Sequence, residues 1–267
     1  MTKIALTIAG IDPSGGAGVY ADIRAFSSFG VFPTAAITSI TFQNTQGVFG
    51  AEHQSARSVR AQIEPILDDY TVDAVKTGML PNREIIDEVA RLVQERGLRN
   101  FVVDPVVRST SGFDLIDGDA LTSLIERLFP LSDLITPNIP EAERISGIAI
   151  DSEQDVHSAA EVMRSQGARN VLIKGGHLHF GQSETGRRVA RDYLFLDGEL
   201  TVLEAEYHET TATHGTGCTL ASAIAANLAL GNDLRESVEI AKRFVNEAIR
   251  TSPGIGKGNS PINIVPI

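Results

Sequence analysis

The chain has 267 residues, 42% hydrophobic and 21% charged, the balance of a soluble globular protein with enough length for a full core. A formal net charge of −11 without any basic stripe argues against a nucleic-acid partner, and a lone cysteine excludes an intramolecular disulfide framework and Cys-rich zinc clusters. No apolar run approaches the roughly 20 residues of a membrane span and the run before Gly10 is too short for a secretory signal, so no membrane partner and a cytoplasmic location are expected.

In chain order, residues 4–9 are a short apolar run that ends in the glycine-rich turn GIDPSGGAG. Residues 19–29 follow with Ile23, Phe26 and Phe29 on one helical face. A second strand is predicted at 33–40 and a second helix at 56–67, through Val59, Ile63 and Leu67. The alternation continues with strands at 72–76, 100–104, 134–136 and 170–174, and helices at 83–94, 120–128, 140–146 and 155–167. Residues 193–196 and 200–203, separated by DGE, read as an antiparallel edge hairpin. Two helices follow, an alanine-rich one at 217–230 and another at 234–249. No linker and no internal repeat interrupts this order. It implies one α/β domain over residues 1–267, a mostly parallel sheet with helices on both faces and a small antiparallel hairpin at its edge. In such folds ligands bind beyond the carboxyl ends of the strands.

The unusual residues gather at those ends: Asp12 to Gly18, Lys76-Thr-Gly-Met79, Asp104-Pro, Thr136-Pro-Asn138-Ile-Pro-Glu141, Lys174-Gly-Gly-His177 and Thr213-His-Gly-Thr-Gly-Cys218. Six loops on one rim point to a composite site, although turns in any α/β protein also need glycine and polar residues. Three of the five lysines, Lys76, Lys174 and Lys257, stand beside glycines, a pattern that brings amides and an ammonium close to an anion and so points to phosphate chemistry. Gly16-Ala-Gly18-Val-Tyr-Ala21 fits a relaxed dinucleotide fingerprint, but no acidic residue follows between Asp22 and Glu52 to hold a ribose. A Walker A loop and a GxSxG elbow are absent from the sequence.

The strongest local signal is THGTGCTLASAIAANLAL. Gly215-Thr216-Gly217 precedes the alanine-rich helix, whose opening amides lack intrahelical partners and form an anion hole. Cys218 lies in its first turn, where the helix dipole is expected to favour the thiolate, a base or nucleophile; the alternative is a small buried hydrophobe. Asn138 and Glu141 stand at i and i+3 and can face a hydrated divalent cation with Asp104, or form an N-cap and its capping-box partner. His177 and His179 read as a surface hairpin rather than a zinc site.

Taken together, AGIDPSGGAG (9–18), FQNTQGV (42–48), KTGML (76–80), VVDPV (102–106), TPNIPEA (136–142), IKGGH (173–177), HGTGCT (214–219) and IGKGNSPIN (255–263) resemble the hydroxymethylpyrimidine/phosphomethylpyrimidine kinases of thiamine biosynthesis, a branch of the ribokinase-like superfamily. The resemblance implies transfer of the γ-phosphoryl group of ATP, with Mg²⁺, to the hydroxymethyl of an aminopyrimidine and then to the monophosphate. It implies Cys218 as base, with Gly215, Thr216 and Gly217 around the migrating group. Gly10, Asp22, Gln43, Met79 and Val106 are implied to line the pyrimidine pocket. Lys174, Asn138, Thr213, Gly215 and Gly217 are implied to meet ATP, and Asn138, Glu141 and Asp104 to position Mg²⁺. A homodimer is implied by analogy. The sequence departs from the family at Thr110 and Phe113, where lysine and aspartate are usual, which puts the second phosphorylation in question; Arg108 is a substitute for that lysine. Ala212 replaces the usual asparagine before THG. Pyridoxal kinase activity is the close rival, and a non-catalytic vitamin-binding module the distant one.

Overall fold

The computed structural model describes residues 1–107, 116–176 and 188–265, so Arg108, Thr110, Phe113, His177 and His179 lie outside the described residues. Strand β1 (Ile4–Ile11) is apolar except for Thr7 and buried along its interior, as a strand covered on both faces must be. Helix α1 (Gly18–Ser28) returns the chain to β2 (Phe32–Asn44), which turns directly into β3 (Gly47–His53). Next come α2 (Ala56–Asp69), β4 (Ala74–Thr77), α3 (Arg83–Arg96) and β5 (Phe101–Val103). Asn82 caps the start of α3 by accepting from the Ile85 amide, and Gly97 ends it in the left-handed conformation that a β-carbon disfavours. The chain continues through α4 (Gly118–Ser123), β6 (Leu134–Ile135), α5 (Ile139–Ser146), α6 (Glu153–Ser165), β7 (Val171–Lys174), β8 (Val189–Leu196) and β9 (Glu199–Glu206). Helices α7 (Thr216–Leu230) and α8 (Leu234–Arg250) complete the order.

The described strands form one sheet in the order β3-β2-β1-β4-β5-β6-β7-β8-β9. From β2 to β7 the neighbours are parallel, while β3 at one edge and β8 and β9 at the other are antiparallel. Helices α2 to α6 pack on one face around Ile63, Ile85 and Phe129. The other face takes α1, α7 and α8 around Phe26, Ile224 and Phe244. Helix α7 is buried on nearly every side, which its run of alanines permits because small side chains let the backbone lie close to the sheet. No helix among the described residues is long and apolar enough to cross a membrane.

Beyond α8 the chain crosses back over the front of the molecule. His214 pairs with Pro261 in a parallel bridge, the Asn259 amide donates to the Thr45 carbonyl at 2.8 Å, and Arg24 donates to the Ile264 carbonyl at 3.0 Å.

The expected alternation and its helices are present, with three differences. The hairpin β2–β3 adds an antiparallel edge that the sequence did not announce, because β3 carries two glycines and no clean apolar alternation. The expected helix at 120–128 is α4 followed by a wider π turn (Leu124–Leu128) and a 3₁₀ turn ahead of β6. The hairpin β8–β9 is twice as long as expected, and its tight turn is Asp197-Gly198, both with positive φ.

Candidate active site

A cavity of about 1260 Å³ opens at the carboxyl ends of the parallel strands. Gly10 reaches it from the end of β1, Asp12 just after β1, Met79 after β4, Asp104 and Val106 after β5, Asn138 and Glu141 after β6, Lys174 from the end of β7, and Thr213 to Cys218 from the start of α7. Gln43 enters from β2, where a register shift against β3 at Phe42 and Gln43 re-aims the side chain. Gly10 and Met79 stand side by side: a β-carbon on Gly10 would lie 3.2 Å from the Met79 sulfur. Every residue expected at the site lines this cavity except Asp22.

The start of α7 is built for an anion. Gly215, its N-cap, has φ +85° and offers no side-chain cap, so the amides of Gly217 and Cys218 have no acceptor among the described residues. The positive end of the helix dipole adds to their pull. Only glycine fits there, since a β-carbon on Gly215 would lie 1.8 Å from the Gly16 carbonyl oxygen. The glycine-rich loop after β1 thus packs backbone against backbone on the anion hole.

Asp12 fixes that junction from the loop side. Its Oδ1 accepts from the Ser14 amide at 2.8 Å and the Ser14 hydroxyl at 2.7 Å. Its Oδ2 accepts from the Gly16 and Ala17 amides at 3.2 and 2.9 Å, and meets His214 Nε2 at 2.8 Å. Burial opposes the charge, but bonds from His214, Ser14 and Gln43 outweigh it and hold the carboxyl down at about 2. An ionised carboxylate only accepts, so His214 carries its proton on Nε2. Asp12 and His214 were not singled out from sequence, although an Asp two residues before a Ser in a glycine turn is the pattern for such side-chain-to-backbone bonds.

Opposite the loop, Lys174 Nζ donates to Asp104 Oδ1 at 3.0 Å, and the Thr136 hydroxyl donates to the same oxygen at 3.1 Å. Both charges reach the anion hole, for a β-carbon on Gly217 would lie 3.1 Å from Lys174 Nζ and 3.9 Å from Asp104 Oδ2. Asn138 and Glu141 form a complete capping box on α5, the Asn138 amide donating to Glu141 Oε2 at 2.8 Å and the Glu141 amide to Asn138 Oδ1 at 2.9 Å. That geometry fills the capping role of the two open from sequence and engages Asn138 Oδ1 and Glu141 Oε2 in it. Burial, resisted by Lys174 and aided by Asp104, pushes the Glu141 carboxyl up to about 7. No cluster of three or more His, Cys, Asp or Glu among the described residues is placed to hold a metal by itself.

Cys218 is half-buried at the cavity wall. Burial pushes its thiol up to about 11; Lys76 pulls it down, Asp22 and Asp104 push it further up, and the Gly18 amide pulls it down. The expected lowering of the thiol is therefore corrected: loss of hydration outweighs the pull of Lys76 and of the Gly18 amide, and the resting sulfur carries its proton. Asp22, expected in the pocket, is fully buried behind it, accepting from Thr7 and Ser222 hydroxyls at 2.6 Å each and from Lys76 at 2.9 and 3.0 Å. Lys76 is thus an internal countercharge rather than a phosphate ligand. Lys257 uses its backbone amide on Thr45 Oγ1 at 3.2 Å, so of the three glycine-flanked lysines only Lys174 lines the cavity. A second cation at the wall, Lys242, pairs with Asp192 at 2.6 Å and had no sequence signal beyond being a lysine.

Known proteins resemble this chain along nearly its whole length. The family model described as phosphomethylpyrimidine kinase matches residues 12–263. The chain is 42% identical over 262 residues to the hydroxymethylpyrimidine/phosphomethylpyrimidine kinase of Haemophilus influenzae, covering 98% of this chain and 96% of that one. Among solved structures it resembles the ADP complex of Bacillus subtilis pyridoxal kinase with a TM-score of 0.88 and 35% identity, over 98% of this chain and 97% of that one. It also resembles the phosphomethylpyrimidine kinase of Clostridium difficile, with a TM-score of 0.80 and 40% identity over 93% of this chain and all of that one.

Proposed function

The chain belongs to the phosphomethylpyrimidine kinase family, and on that premise we propose that it transfers the γ-phosphoryl group of ATP to the hydroxymethyl of 4-amino-5-hydroxymethyl-2-methylpyrimidine, and then to the monophosphate, in thiamine biosynthesis. The observation that carries this reading is the uncapped start of α7, whose free amides share one cavity with Lys174 and Asp104 on one side and Gly10, Gln43 and Met79 on the other. Phosphoryl transfer asks mainly for positioning and charge neutralisation. The amides of Gly217 and Cys218 supply donors for the migrating group, and Lys174 supplies a cation beside them. Gln43 lies near enough to Asp12 to help keep its carboxyl low; with its NH₂ turned toward that charge, its carbonyl oxygen is free to accept from an exocyclic amine. Met79 and Gly10 give a flat, soft wall for a pyrimidine face, and Val106 and Thr213 complete the lining on the pyrimidine and nucleotide sides.

The donor set fits Mg²⁺ in a limited way. This ion keeps several waters and takes one or two carboxylates together with phosphates, and Asp104 has one oxygen, Oδ2, without a partner among the described residues. Asp104 would hold it directly, and Asn138 and Glu141, occupied in their cap, through water. Bound there, Mg²⁺ supplies neutralisation of phosphate charge.

Cys218 takes the hydroxyl proton. With the thiol at about 11, forming the thiolate at pH 7 costs roughly 5 kcal/mol. That fits within the barrier of about 16 kcal/mol that corresponds to about 10 turnovers per second. In return the thiolate is a strong base, matched to an alcohol proton.

Turnover of hydroxymethylpyrimidine and of pyridoxal with MgATP, measured side by side as ADP release, tests the substrate. A preference for the pyrimidine is expected, and a tenfold or greater preference for pyridoxal would replace this reading with its rival. The second step is tested with the monophosphate as acceptor. We also propose a homodimer in the cytoplasm, with a second copy covering the exposed Phe42 and Phe49 of the β2–β3 edge; sedimentation at the mass of one chain would refute it.

A further inference from the structure

The Lys76–Asp22 ion pair is fully buried on both sides and lines no part of the cavity. Taking two such ions out of water is costly, and a buried pair seldom adds stability over apolar side chains of the same volume. Its place in the fold gives it a use. Ser222 follows Cys218 by four residues, so the two share a face of α7 one turn apart. The Ser222 hydroxyl donates to Asp22 Oδ1 at 2.6 Å, and Asp22 in turn holds Lys76 Nζ at 2.9 and 3.0 Å. Through Asp22 and Ser222 the ammonium is tied to the face of α7 that carries Cys218, and it acts on the sulfur; Gly78 walls it in, since a β-carbon there would come within 2.9 Å of Nζ. Asp22 accepts from Thr7 and Ser222 as well as from the lysine, so its charge is spread over several donors. Burial opposes the Lys76 charge, but Asp22, Cys218 and Asp104 all act to keep it. The other charged groups acting on the sulfur are Asp104 beyond β5 and Lys174 on β7.

We propose that Lys76 is a positioning residue for the phosphoryl transfer, a buried countercharge that stabilises the sulfur of Cys218 once its proton has left, with Asp22 holding that ammonium in place and moderating it. This rests on the reading of Cys218 as proton acceptor. Nothing in the mechanism above requires Lys76 to touch a substrate.

Cys218 is the sole cysteine of the chain, so the rate of alkylation by iodoacetamide against pH reports on it alone, without substrate or turnover. In Asp22→Asn the field of the ammonium on the sulfur is no longer offset by the carboxylate, and alkylation at pH 8 should rise at least roughly fivefold, with the inflection moving to lower pH. In Asp22→Asn/Lys76→Met both charges are gone, while the Thr7 and Ser222 hydroxyls still meet an amide. Alkylation should then fall below wild type, and kcat should fall while the KM values for pyrimidine and ATP stay within about twofold. A merely structural role for the pair would move both variants in the same direction. Shifts of the same sign, or no shift in a variant that still melts cooperatively, overturn the proposal. If the double variant fails to fold, Asp22→Asn decides: a rise supports the proposal and anything else overturns it. Full turnover by Cys218→Ala would remove the proton-acceptor reading while leaving the alkylation result intact, so the two failures are told apart.

Discussion

Asp12→Asn removes one charge from the joint between the first loop and the anion hole, and its cost follows from the geometry. The carboxyl is only 2% exposed, so solvent screens it little. Its value falls from 3.8 to about 2 on folding, which corresponds to about 2.4 kcal/mol at neutral pH. A folded value below the unfolded one means stability that is fully present well above 3.8 and is lost as pH falls through about 2. By the same linkage about 1.3 kcal/mol remains at pH 3 and roughly 0.4 kcal/mol at pH 2. Asparagine also turns an amide NH₂ toward some of the donors that the carboxylate satisfies. Urea unfolding of wild type and variant, followed by far-UV circular dichroism from pH 7 to pH 3, should give a gap of roughly 2 to 3 kcal/mol at pH 7 that narrows by about 1 kcal/mol at pH 3. A gap below about 0.5 kcal/mol at pH 7, or one that does not change with pH, would refute the reasoning.

Cys218→Ala should lower kcat by roughly 100-fold or more while leaving ATP affinity by calorimetry within a few-fold, because the amides remain when the thiol goes; unchanged turnover would eliminate the base. Gly215→Ala places a β-carbon 1.8 Å from the Gly16 carbonyl oxygen, so it should abolish detectable turnover and lower the melting temperature by several degrees, and a crystal of an active variant would contradict the close approach. Asp104→Asn should raise the Mg²⁺ concentration for half-maximal rate several-fold. Asn138→Ala should instead cost about 1 kcal/mol of stability through the lost cap, and a reversal of these two outcomes in Mg²⁺ titrations and melts would return the cation to the capping box.

The order of strands and helices was legible because a buried parallel strand is an uninterrupted apolar run and a covered helix repeats every three to four residues. Strand β1 and helices α1, α3 and α8 show this plainly. Strand β3 was not legible, since its residues sit at an exposed edge where no core imposes a pattern. The loops of the site could be read because glycine and polar residues interrupt the sequence at each strand end. What those residues do there depended on depth. Lys76 and Lys174 share the same local pattern, yet one is buried against Asp22 and the other reaches the cavity. The helix start at Cys218 is visible in the sequence, whereas the desolvation that raises its thiol comes from neighbours brought in by other parts of the chain. Asn138 and Glu141 were compatible with two roles; the hydrogen bonds between them make the cap, and the proposed contact with a cation passes through water.

The clasp made by the segment after α8 ties distant stretches of the chain together. Thr45 is held by Asn259, and His214 by Pro261, across some two hundred residues and some forty-seven residues of chain respectively. Contacts of such long sequence separation must repay the entropy of closing their loops before they hold, so the front of the pocket costs more chain entropy to assemble than the sheet behind it.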